Sequence, residues 1–171
     1  MIEVIRMMRK FTMALSVFLL FAGVASAQQP ESGGAKKIDT CALLTKAEIQ
    51  EAIGKNVQDG KLNPNANPAV GAPCEFVVEP YGAFSLLVKP VGPGETADRM
   101  MAELTKAKIT VSEAPGIGDR SFYASPGYGM TQLNTFKGPT YIIITLLVPD
   151  ATEIAQKAAA EKLMRKVLPR L

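Results

Sequence analysis

The chain has 171 residues, with 19 Lys and Arg against 16 Asp and Glu, a net charge of +3, and no histidine. Losing the usual general base near neutral pH and the commonest metal ligand excludes Ser-His-Asp and Cys-His machinery and most zinc sites. A small net charge without a concentrated basic patch argues against nucleic acid as a partner.

At the N-terminus, Arg6, Arg9 and Lys10 precede an apolar stretch of 14 residues, Phe11 to Val24, and the small-residue triplet Ala25-Ser26-Ala27. That order predicts a cleavable secretory signal peptide over 1–27. The apolar stretch is too short for a membrane anchor, which needs about 20 residues. No cysteine follows the cleavage site to carry a lipid, so no stable membrane insertion is expected after cleavage. Removal takes three cations and one acid and leaves 144 residues with a net charge of +1. Residues 28–37, QQPESGGAKK, lack apolar periodicity and read as a flexible leader. Residues 38–171 then form one domain with one substantial core.

Thr45 and Glu48 are spaced as a capping box and open a helix that Gly54 ends. A short strand is predicted around Asn56 to Gln58, then a long loop from Asp59 to Pro73. Cys74 to Val78 and Phe84 to Lys89 alternate apolar and polar residues around Pro80-Tyr81-Gly82, the pattern of a hairpin. A second helix is predicted over Glu95 to Lys106, with Ala97, Met100, Met101 and Leu104 on one stripe. Strands follow at Ile109 to Glu113, Arg120 to Ala124 and Met130 to Phe136. Tyr141 to Val148 is a continuous apolar run, expected to be a strand buried on both faces. A last helix opens with Asp150 as cap and Glu153 as its reciprocal partner, burying Ala160, Leu163, Met164 and Val167. Strands, helix, strands, helix predict an α+β fold, an antiparallel sheet with helices packed on it, in two strand-then-helix units.

Cys41 and Cys74 are the only cysteines. In an oxidising compartment they are expected to form a structural disulfide, because they lack the Cys-x-x-Cys spacing of a redox pair. Ser85, Ser112, Ser121 and Ser125 sit in no nucleophile motif. Glu75 and Glu79 are the obvious carboxylate pair for glycoside cleavage, but they alternate against Cys74, Phe76 and Val78 as an outward face would. The loop Asp59 to Asn67 lacks the spaced acids of a calcium site. Gly116-Ile117-Gly118-Asp119 lacks the third glycine and the helix of a dinucleotide loop and reads as a turn, with Asp119 bonding nearby amides. Lys162, Arg165, Lys166 and Arg170 sit at helical spacing and read as a solvated helix face. What remains is Tyr81, Tyr123 and Tyr128, all close to glycine-containing turns. If they converge with Arg120, they would rim a binding cleft.

Asp39-Thr40-Cys41-Ala42-Leu43-Leu44-Thr45, the second cysteine before a strand, and Gly116-Ile117-Gly118-Asp119-Arg120-Ser121-Phe122-Tyr123 resemble a group of small exported bacterial domains of unknown function. The group includes actinobacterial lipoproteins and is similar in fold to the PsbP proteins. The resemblance implies that fold, an envelope location and a non-enzymatic role, and it carries over no catalytic residues. The expectation is a periplasmic or secreted module, without cofactor or metal, that binds a partner protein or a small ligand. The alternative is a carboxylate-dependent hydrolase acting on envelope polymers.

Overall fold

The computed structural model describes residues 38–63, 65–66 and 71–171, so the expected signal peptide and leader lie outside the described residues. α1 (Lys46–Ile53) starts and stops as its sequence dictates. Thr45 Oγ1 accepts the Glu48 N–H at 3.2 Å, the Glu48 carboxylate accepts the Thr45 N–H at 2.9 Å, and Gly54 closes the helix in the left-handed region at φ 68°. The strand expected at Asn56 to Gln58 is only a bridge from Val57 to Val78. The chain swings away at Gly60, whose backbone lies so close to the Phe76 ring and Cys74 Sγ that a Cβ would not fit.

β1 (Lys61–Leu62), a two-residue strand within the stretch expected to be loop, pairs with β2 (Cys74–Val78), which with β3 (Gly82–Pro90) completes one antiparallel meander. α2 (Ala97–Lys106) follows. It begins later than the sequence suggests because Thr96 caps it through the Arg99 N–H, while Glu95 is held by Lys89 and the Gly92 N–H. β4 (Thr110–Glu113), β5 (Arg120–Gly127), β6 (Met130–Lys137) and β7 (Thr140–Leu147) form a second meander. The two join where β3 pairs with β7, from Ala83 opposite Leu147 to Pro90 opposite Thr140. The result is one seven-stranded antiparallel sheet, β1-β2-β3-β7-β6-β5-β4, with three helices: an α+β fold. α3 (Glu153–Val167) is capped by Thr152 rather than Asp150. Asp150 instead takes φ 62° in the turn before the helix, a conformation that a short polar side chain tolerates.

Strand alternation sorts the side chains into two faces. On the first, Phe84, Leu86, Leu133, Ile142, Ile144 and Leu146 bury against Ile49 of α1 and Ala160, Leu163 and Met164 of α3. On the second, Ala97, Met100, Met101 and Leu104 of α2 pack over Phe122, Phe136 and Tyr141. Helices therefore lie on opposite faces of one sheet. β7 departs from the expectation of burial on both faces. Ile142, Ile144 and Leu146 are buried, but Ile143, Thr145 and Leu147 on the second face are only partly covered, because α2 reaches only one end of it.

Cys41 and Cys74 form the expected disulfide, tying the 3-10 turn at Thr40–Ala42 to β2. With 33 residues of separation, the cross-link restricts the unfolded chain by about 4 kcal/mol. The basic residues at the end of the chain are less free than a solvated face implies. Lys162 pairs with Glu51 at 2.8 Å, and Arg170 and Lys166 pair with Glu48 at 2.6 and 3.5 Å, fastening α3 and the C-terminus to α1. Among the described residues no helix is long and apolar enough to cross a membrane.

Candidate binding face

Two of the four candidate residues, Tyr81 and Tyr128, are placed at the same end of the sheet. Tyr81 follows Pro80 in the β2–β3 turn and is 70% exposed. The next residue, Gly82, starts β3 with its backbone against the Leu147 carbonyl and Pro149, a contact that no side chain at 82 could accommodate. Tyr81 is thereby seated beside the end of β7. Tyr128 lies in the β5–β6 turn between Gly127 and Gly129, all three at positive φ, and is 94% exposed. Gly129 sits 3.6 Å, measured from an added Cβ, from Leu147 Cδ1. The buried Gln156 holds this arrangement. Its Nε2 donates to the Gly129 carbonyl at 2.9 Å and its Oε1 accepts the Val148 N–H at 3.2 Å. The two tyrosines therefore flank the end of β7.

Between them runs the open part of the second sheet face. By register, Met130, Leu147, Ala83 and Val77 form one row across β6, β7, β3 and β2. Val77 is 48% exposed, Ala83 is exposed, and Met130 and Leu147 are partly buried. The next row inward is polar: Gln132, Thr145, Ser85 and Glu75, with Gln132 Nε2 donating to Thr145 Oγ1 at 3.3 Å. Farther in, Asn134 is buried and accepts the Tyr141 hydroxyl at 2.7 Å, while its amide nitrogen has no partner among the described residues. Burial pushes the Tyr141 hydroxyl well above the usual phenol range, so it stays a neutral donor. This face combines a partly covered apolar row, a polar row and two exposed tyrosines at its end.

The other two candidates are elsewhere. Tyr123 points to the opposite face, is buried, and donates its hydroxyl to Glu161 of α3, with Lys157 Nζ 4.9 Å from its ring centre. Burial, then the Glu161 carboxylate, raises its pKa far above that of a free tyrosine. It is a strut between β5 and α3. Arg120 begins β5, about 25 Å along the strand from Tyr128. Its guanidinium donates to Glu113 at 2.8 Å and Asp98 at 3.1 Å, holding the first turn of α2 to the sheet. The structure does not assemble the expected four-residue cleft. Glu161, which takes up Tyr123, lies 38 residues away in sequence, and Arg120 is held by Glu113, 7 residues away on β4, and by Asp98, 22 residues away on α2.

The carboxylates considered for hydrolysis do not come together. Glu75 and Glu79 lie four residues apart along extended chain, up to about 13 Å, beyond the separation of a catalytic pair. Glu75 accepts from Asn63 Nδ2 at 2.9 Å. Asp119 lies beside the end of β6, three strands from β2. Its carboxylate accepts the Gly138 N–H at 2.7 Å and the Lys137 ammonium at 2.9 Å, which together hold its pKa below the usual range. Asp119 therefore fixes the β6–β7 turn, 19 residues along the chain, and not the amides of its own turn as the sequence suggested. Near Tyr81, Gln50, Gly54, Lys55, Asn56, Glu79 and Pro80 line an open hollow of about 660 Å³. Its mostly polar walls lack the apolar enclosure that small-molecule sites use.

Comparison with protein-family models, with curated proteins and with solved structures found no match to this chain.

Proposed function

We propose that this chain is an exported, non-catalytic module of the cell envelope that recognises a partner protein through the open end of its sheet, with Tyr81 and Tyr128 as anchors. The observation that carries the reading is the placement of two highly exposed tyrosines on either side of an incompletely covered apolar row. Large aromatic side chains contribute disproportionately to binding once desolvated, and here both rings are free to be buried. The signal-like N-terminus, the Cys41–Cys74 disulfide and the resemblance of residues 39–45 and 116–123 to exported bacterial domains support the envelope location.

The test is chemical cross-linking of the full chain in its own host, comparing the wild type with the Tyr81→Ala/Tyr128→Ala double variant. Discrete adducts are expected with the wild type, on protein whose first residue is Gln28, and are expected to disappear from the double variant at equal abundance. Identical adducts from both proteins would exclude this end of the sheet as the binding surface.

A further inference from the structure

We propose that β4 pairs with β4 of a second copy of this chain, forming a two-fold dimer with a continuous sheet. β4 closes one side of the sheet, and among the described residues nothing pairs with its outer edge. The Ala114 N–H bonds the Ser121 carbonyl, so Ala114, Ser112 and Thr110 direct their backbone groups towards β5. Alternation then turns the N–H and C=O of Val111 and Glu113 outward. All four residues of β4 are exposed or partly exposed, and no proline interrupts them. Such an edge is a template for another strand.

Two features select a second copy and one register. Centring the two-fold axis on Ser112 places Val111 opposite Glu113 of the other copy, twice, and uses every outward group in four hydrogen bonds. Centring it on Glu113 would set like charges opposite each other and bring in Pro115, which has no N–H. Centring it on Val111 would require the Ile109 N–H, which already donates to the Leu104 carbonyl at 3.0 Å. Charge does not oppose the first choice: the Glu113 carboxylate that comes to lie opposite Val111 is already paired with Arg120 at 2.8 Å within its own chain. A two-fold axis perpendicular to the sheet also puts both α2 helices on one face. The apolar stripe of α2 is incompletely covered within one chain, since Met101 and Leu104, like Val111 beneath, are only partly buried.

The test uses three single variants of the protein purified from its own envelope. At the two-fold axis, Ser112 faces its own copy with Cα atoms about 4.5 Å apart, within disulfide reach, whereas the two Thr110 residues lie about 13 Å apart. Ser112→Cys is expected to form a covalent dimer under mild oxidation and Thr110→Cys is not. The existing cysteines do not interfere, being already joined. Val111→Pro removes an outward N–H from each edge, where proline is tolerated, and is expected to weaken the dimer measured by sedimentation about tenfold or more. A wild type that sediments as a monomer at every concentration, or cross-linking of Thr110→Cys as fast as Ser112→Cys, would overturn the proposal. The cysteine pair decides it even if Val111→Pro does not fold.

Discussion

Tyr128 holds a conformation that bulky side chains avoid. At φ 54° its Cβ crowds the backbone, a cost of about 1–2 kcal/mol, and with its ring 94% exposed no burial offsets it. Asparagine adopts the same region more readily. Tyr128→Asn is therefore expected to raise stability by roughly 0.5–1 kcal/mol, seen as a higher urea midpoint, while reducing the cross-linked adducts. A lower midpoint would mean that the ring supports the fold and is not retained for recognition. The glycines on either side made this turn legible in the sequence. The fates of Tyr123 and Arg120 were not legible, because a side chain's partner depends on which helix the fold lays over it.

At the scale of elements, the α1–α3 junction turns on Glu48. Its carboxylate accepts from Arg170, from the Thr45 backbone N–H and from the Thr45 hydroxyl, and Lys166 stands nearby. The Arg170 hydrogen bonds, then the Thr45 N–H, hold its pKa far below the usual carboxylate range against the opposing effect of burial. A carboxyl depressed by folding contributes stability above its unfolded pKa and loses it as pH falls towards the folded one. Wild type is expected to exceed Glu48→Gln in unfolding free energy at neutral pH, with the gap closing as pH falls below about 4.5. Denaturant unfolding across that range checks it, and a gap independent of pH would contradict the assignment. The capping box was readable from the Thr45–Glu48 spacing. The clasp by the C-terminus, 122 residues away, was not.

Across the whole molecule, the two helical layers are unequal. Among the described residues, the buried cluster of the α2 layer has four apolar side chains, Ala97 of α2 itself and Phe122, Phe136 and Tyr141 beneath it, against twenty-two in the cluster with α1 and α3. Lys89 to Glu95 and Arg120 to Asp98 tether α2, but such pairs contribute little where solvent reaches them, as it does at Arg120 and Asp98. Native-state hydrogen exchange should show α2 amides opening at lower free energy than those of α3. Equal opening free energies would mean that the two layers unfold as one unit. The same inequality leaves Ala83 and Val77 exposed and Leu147 only partly covered on the face that carries the proposed function.

Sequence by itself determined the fold class and the longer elements, but not β1 or the bridge at Val57, because hydrophobic periodicity, caps and turn glycines act within a few residues. Two cysteines allowed one pairing, so the disulfide was also legible. Only the tertiary structure decided that the meanders join through β3 and β7, that α2 and α3 take opposite faces, and that β7 is fully buried on one face only. It also separated Arg120 and Tyr123 from Tyr81 and Tyr128. Those outcomes depend on contacts between segments far apart in the chain, where register and helix placement decide which side chains meet.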